Sequence, residues 1–218
     1  MITNLIIEKA IDELEYRRFA TTKQLLEIHE VIRVDNIPKV LRVDMEHNNG
    51  TAIVYFAFRD EKFYLAVWLD TTPEVAVRSV STESYNSVYL KVTSEDLSFQ
   101  QLCLLTKLEP TGGWSKGDKM RSGNSEYSFS ALHFEPNPEA DEFEDKLRKL
   151  LDFLEQDKIG IDSLAASASV QVQVISVFHN GNTILGGHFL DKGIIQRLAA
   201  LNLEIAFDVY AEGKFFAD

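Results

Sequence analysis

The segment Leu108-Glu109-Pro110-Thr111-Gly112-Gly113-Trp114-Ser115-Lys116-Gly117-Asp118 gathers three glycines, one tryptophan and charges of alternating sign. Backbone N–H groups that little side-chain bulk obstructs, assisted by Lys116, are the raw material of an anion cradle. The Gly-x-x-x-x-Gly-Lys-Ser/Thr spacing of a phosphate loop is absent. The alternative is a turn whose glycines take positive φ and whose Trp114 packs back on a sheet. Five histidines raise the question of a metal. His179 and His188 flank Asn180-Gly181, and His133 falls in a neighbouring predicted strand, so three imidazoles converge if the strands pair that way. A site would still need a further ligand such as Asp191 at about 2 Å. No short metal-ligand spacing is present, which favours separate histidines.

Nucleophilic catalysis has less support. No Gly-x-Ser-x-Gly elbow occurs, and Ser163 to Ser169 reads as a small-residue connection before a strand. The acids from Glu139 to Glu144 are what the dipole of a following helix favours at its start, rather than an acid–base pair. Cys103 lies in the apolar run Leu102-Cys103-Leu104-Leu105, the setting of a structural thiol. Asp208 and Tyr210 share one face of a predicted strand, opposite Phe207 and Val209, and form a polar patch with Glu204. The candidate binding residues are therefore Trp114, Ser115, Lys116, Asp118, Glu204, Asp208 and Tyr210; no catalytic residue, metal or cofactor is assigned.

Composition narrows the classes. The 34 acidic against 22 basic residues give a net charge of −12, and the only adjacent basic pairs, Arg17-Arg18 and Arg148-Lys149, sit in helical patterns beside acids. That field disfavours nucleic acid and anionic lipid and suits a basic protein partner. One cysteine can form neither an internal disulfide nor a multi-cysteine zinc cage. The N-terminus lacks a basic start and meets Glu8 and Lys9 at once, unlike a signal peptide, and no apolar run approaches the roughly 20 residues of a membrane span. A cytoplasmic protein is expected.

These residues must be positioned by a frame that the hydrophobic pattern outlines. Ile7, Ala10, Ile11 and Leu14 recur at helical spacing within residues 1–34, and Thr21-x-x-Gln24 predicts a capped second helix. From Pro38 the period becomes two. Val40 to Met45, Thr51 to Phe58, Phe63 to Leu69 and Val75 to Val80 read as an antiparallel meander, with His47-Asn48-Asn49-Gly50 and Arg59-Asp60-Glu61-Lys62 as turns. The strands at 51–69 are long and apolar enough to pair across subunits, so a homo-oligomer is also open. The polar stretch Ser81 to Ser87 marks a boundary, giving two parts, 1–84 and 85–218. The second part predicts a strand at Val88–Val92, a helix opened by the capping box Ser98-x-x-Gln101, a strand over Glu126–Phe134 and a helix through Phe143, Leu147, Leu150, Leu151 and Leu154. It closes with a strand at Val170–Phe178, a hairpin turn at Asn180-Gly181 into Thr183–Leu185, a helix capped by Asp191 and a strand at Leu203–Val209. The order argues α+β, with a ferredoxin-like C-terminal sandwich whose helices lie on one sheet face.

The wording of this second part is also specific. Tyr89-Leu90-Lys91-Val92, Leu97-Ser98-Phe99-Gln100-Gln101-Leu102, the Glu109-Pro110-Thr111 to Lys116-Gly117-Asp118 loop, the helix near Leu147–Leu151 and the ending Ile205-Ala206-Phe207-Asp208-Val209-Tyr210 together resemble the bacterial family called domain of unknown function 4279, over about residues 86–212. The resemblance implies a small intracellular protein and carries no enzymatic residues. Where that family has a tryptophan in the strand after the loop, this chain reads Tyr127-Ser128-Phe129. Charge, composition and the absent catalytic set point to a non-enzymatic protein-binding module, an immunity-type protein neutralising a basic toxin domain being one concrete form. The alternative is a small-molecule or metal-dependent enzyme using residues 111–118 with His133, His179 or His188.

Overall fold

The computed structural model describes residues 2–46, 50–120, 123, 125–181 and 187–215. The chain opens with α1 (Ile2–Tyr16) and α2 (Ala20–Ile28), whose inward residues include Ile6, Ala10, Leu14 and Leu25. The expected cap at Thr21 is not used, because Thr21 already lies inside α2 and Phe19 occupies the cap position. The buried Glu13 of α1 does that work instead: its Oε1 accepts from the Phe19 N–H at 3.0 Å and from the Thr22 hydroxyl at 2.6 Å. A small hairpin of β1 (Arg33–Val34) and β2 (Ile37–Pro38) turns on Asp35 and Asn36, both at positive φ, the conformation that short acidic and amide side chains tolerate.

The meander forms as its alternation demands. Strands β3 (Val40–Asp44), β4 (Thr51–Ala57), β5 (Tyr64–Asp70) and β6 (Ala76–Glu83) pair antiparallel in chain order. Ala52, Val54, Phe56, Leu65, Val67 and Leu69 pack beneath α1 and α2, while Ile53, Tyr55 and Ala66 face the C-terminal half. Since β4 and β5 are interior strands, buried on both faces, they cannot supply the intersubunit pairing that their apolar runs suggested. Residues 47–49 lie outside the described residues.

The polar stretch at 81–87 is extended on both sides of Ser84, where β6 passes into β7 (Tyr85–Ser94). Then come α3 (Phe99–Cys103), β8 (Gly112–Trp114), β9 (Ser130–Phe134), α4 (Phe143–Leu154), α5 (Lys158–Ser167), β10 (Ser169–His179), α6 (Lys192–Ala200) and β11 (Glu204–Glu212). The predicted capping box at Ser98 is present, with Gln101 bonding back to the Ser98 N–H at 2.9 Å, and Asp191 caps α6 through Ile194 N at 2.8 Å. The small-residue stretch at 163–169 is largely α5 rather than a connection; Asp157 caps that helix through the Gly160 N–H at 3.1 Å. The strand expected over 126–134 is shorter, starting at Ser130, and residues 182–186, the far arm of the expected hairpin, lie outside the described residues.

The fold is α+β, and its second sheet runs β11-β10-β7-β9-β8. A ferredoxin-like layout would place another strand between the two that a helix joins. Here β10 and β11, joined by α6, pair directly and in parallel. The return from α6 is tight: Asn202 takes a positive φ and the Leu203 N–H donates back to Leu198 O at 3.0 Å. Helices α3 to α6 all pack on the face carried by Val88, Leu90, Val92, Leu132, Phe134, Val172 and Val174.

Two buried polar contacts join the halves. Asp141 accepts from Arg42 at 2.6 Å, Lys149 at 3.0 Å and Asn137 at 2.6 Å, and the Arg42 guanidinium also donates to Ala140 O. Burial pushes the Asp141 carboxyl up, but the bonds and charges of Arg42 and Lys149 outweigh it and hold it below the usual range. In the second contact His29 Nε2 lies 2.9 Å from His179 Nε2, and His29 Nδ1 lies 3.2 Å from Glu61 Oε1. His179 Nε2 also faces the Lys214 carbonyl at 2.9 Å; a carbonyl only accepts, so His179 carries that proton and His29 Nε2 is the acceptor.

Replacing Asp141 by Ala leaves Arg42 and Lys149 without their shared buried anion, so urea unfolding is expected to show a loss of about 3 kcal/mol. For His29, burial first, then His179 and Lys214, lower the pKa to about 4. A histidine held neutral in the fold stabilises fully above its unfolded value of about 6.5 and loses that contribution as pH falls toward 4. Stability measured by urea midpoint should therefore fall across this window, and the fall should shrink in His29→Phe.

Candidate functional site

With the helices on one side, alternation along each C-terminal strand sends Tyr85, Ser87, Tyr89, Lys91 and Thr93 of β7 to the other. Neighbouring registers add His133 of β9, Gln171, Gln173, Ile175 and Val177 of β10, and Glu204, Asp208 and Tyr210 of β11. No helix covers this face among the described residues. At its β8 edge is a cleft of about 540 Å³ lined by Tyr89, Gly112, Trp114, Tyr127, His133 and Glu135.

The cleft is built around His133. Its ring meets Trp114 edge-on at 5.1 Å and Tyr89 at 5.2 Å, while Trp114 stacks on Tyr127 at 4.3 Å. His133 Nε2 is buried with no hydrogen-bond partner among the described residues. Protonation would strand a charged N–H there, and burial, then Lys91, lowers the His133 pKa. The Ser87 hydroxyl donates to Glu135 Oε1 at 2.7 Å and fixes that carboxylate. Burial, followed by the charges of Glu135 and Asp208, raises the Tyr89 phenol, so Tyr89 stays a neutral hydroxyl.

The loop does not form the anion cradle that its glycines suggested. The N–H groups of Ser115, Lys116, Gly117 and Asp118 are already spent on Asp118 Oδ2, Ser130 Oγ, Tyr127 O and Ser115 O, at 2.7, 2.9, 2.9 and 3.1 Å. Ser115 Oγ accepts from Phe99 N at 3.1 Å, and Lys116 Nζ reaches Glu95 O at 3.1 Å, so both tie the loop to the start of α3 and the chain before it. Trp114 is half-buried and donates from Nε1 to Phe129 O at 3.0 Å; its ring is a wall of the cleft rather than a free anchor. Asp118 remains exposed on the cleft rim.

Glu204, Asp208 and Tyr210 do share one face, as their alternation implied, and all three are exposed. Asp208 accepts from Gln173 Nε2 at 3.0 Å, and Tyr210 borders an apolar depression with Tyr85, Ile175 and Val177. They stand four strands from β8, about 19 Å at normal strand spacing, so the two groups of candidates occupy opposite edges of one face. The histidines do not converge. His133 lines the cleft, His179 joins His29 at the junction, and His188 lies among Phe143 and Phe207 on the helix side, 2.9 Å from Ser176 Oγ. Cys103 is partly buried against the helix-side core, which pushes its thiol up. Tyr89, Tyr127 and Glu135 were not among the candidate binding residues read from sequence; for Tyr89 the signal was its place opposite Val88, Leu90 and Val92, and for Tyr127 its place where the family has a tryptophan.

An α+β protein with one helix-covered and one open sheet face is thus the class defined by the fold and this surface. The chain belongs to the family described as Domain of unknown function (DUF4279), whose model matches residues 82–212, more than half of the chain. No curated protein and no solved structure matches it. No helix among the described residues is long and apolar enough to cross a membrane.

The paired glycines of β8 give a direct check on this geometry. A Cβ on Gly113 would press on the Ala131 carbonyl and the Phe99 ring, whereas one on Gly112 would meet nothing within 4 Å. Gly113→Ala should lower stability by about 1–3 kcal/mol, and Gly112→Ala should stay within about 0.5 kcal/mol of wild type, both read from urea unfolding.

Proposed function

We propose that this chain is a non-enzymatic protein-binding module that receives a basic partner on the open face of its C-terminal sheet. The observation that carries this reading is the face itself, which no helix covers among the described residues and which presents the Trp114–Tyr127 stack and Tyr89 toward one edge and the exposed Tyr210 at the other, with Ser87, Gln173 and Val177 buried between them. A one-sided sheet normally turns a polar surface to water. This one carries aromatic rings at both ends, the residue type that supplies most binding energy at protein interfaces. Glu135, Glu204, Asp208 and Glu212 accompany them, and Lys62, Lys91 and Lys119 are neighbouring cations.

The net charge of −12 would speed encounter with a cationic protein and orient it. An immunity-type protein that neutralises a basic toxin domain is the specific form this reading takes, since covering an active site needs a rigid, charged, aromatic surface and no chemistry. An enzyme built on the loop and the histidines has less support, because the loop N–H groups are already spent and His133, His179 and His188 stand in three separate settings.

The test compares capture from the source cells by the tagged chain, by an Asp208→Lys/Tyr210→Ala variant, and by an Ile159→Ser control on exposed α5. The wild type and control are expected to recover one basic protein in near-equal amount, and the face variant to lose it. Recovery of no such protein, or its retention by the face variant, would overturn the reading.

A further inference from the structure

We propose that the cleft around Gly112 is a guanidinium site that holds one arginine side chain of a protein partner, a proposal that rests on reading the open face as a protein-binding surface. Three aromatic rings, Tyr89, Trp114 and Tyr127, border it, and Glu135 supplies a carboxylate. Aromatic walls with a nearby anion are the arrangement that holds organic cations, through the negative faces of the rings. The Ser87 bond holds one Glu135 oxygen in place and leaves the other without a hydrogen bond among the described residues. That oxygen is available to a guanidinium N–H.

The floor suits a cation as well. His133 is neutral because of its burial, and Gly112, its register partner, presents open space where any other residue would put a side chain. Of the nearby ammonium groups, Lys146 is buried within the electrostatic reach of Glu135 and donates to Asn137 O at 2.8 Å, Lys119 is exposed on the rim beside Asp118, and Lys91 borders the adjoining depression with Glu95 and Asp96. A volume of about 540 Å³ accommodates a long side chain with its water. Arginine fits better than lysine because its planar group stacks on rings while its fork of donors engages a carboxylate.

The uniformly ¹⁵N-labelled full chain, titrated with Nα-acetyl-arginine methylamide, tests this by NMR. Saturable shifts are expected at the Gly112 amide and the Trp114 indole N–H. The citrulline analogue, of the same shape without charge, should produce none, and the lysine analogue should bind about fivefold more weakly. Glu135→Gln should weaken arginine binding about tenfold. Gly112→Leu, which fills the cleft, should abolish it while keeping the wild-type urea midpoint. Equal shifts with citrulline, unchanged binding in Gly112→Leu, or no saturable shift at about 50 mM, well above the millimolar range that one side chain reaches, would overturn the site. If the arginine amide fails while capture of a basic protein still depends on Asp208 and Tyr210, the guanidinium site falls and the protein-binding reading stands. If it binds but no partner is captured, the protein-binding reading falls and a guanidinium site remains.

Discussion

Strand β7 sits at the centre of the second sheet, and its two-residue alternation is the constraint on which the remainder depends. Val88, Leu90 and Val92 require an apolar cover, and α3 to α6 all supply it from one side. Each of those helices also spends its apolar stripe on that face, so none remains to cover the other. The open surface is thus the other side of a single packing decision. Tyr89 and Lys91 are on it because Leu90 and Val92 are not.

The junction between the halves uses a different kind of interaction. Apolar contact there is modest, with Ala140 set against Ile53, Tyr55 and Ala66, and the buried groups that define the approach are Asp141 with Arg42 and Lys149, and His29 with His179. Buried ion pairs add little net stability against apolar replacements, yet they are strongly directional. Arg42 on β3 reaches Asp141 just before α4, so the pair ties the N-terminal sheet to the helix layer of the C-terminal one. The cleft lies at the β8 edge of the second sheet, with His133 and Glu135 held by strand register and by Ser87.

Much of the frame was legible in the chain because it rests on local rules. The meander, α4, β10 and β11 follow from periodicity, and the Ser98 and Asp191 caps from short-range hydrogen bonds. The errors came where a distant group replaced a local one. Glu13 took over the capping expected of Thr21, and the small residues at 163–169, weak in pattern, became helical under the Asp157 cap and by packing Leu164 into the core. The ferredoxin-like layout failed because strand order is not encoded by the order of elements alone.

The binding candidates divide in the same way. Sequence by itself placed Asp208 and Tyr210 on one face and set a strong negative charge, since side-chain direction along a strand and formal charge are local properties. It determined the family as well, because the ordered wording of residues 82–212 is carried by the chain. Only the tertiary structure decided that Trp114 is a half-buried wall of the cleft, that the N–H groups of residues 115–118 are spent, that three histidines stand apart, and that Tyr89, Tyr127 and Glu135 meet around Gly112. Those outcomes depend on which strands lie side by side and which partner each buried polar group finds, and both are set by long-range pairing that no window of sequence contains.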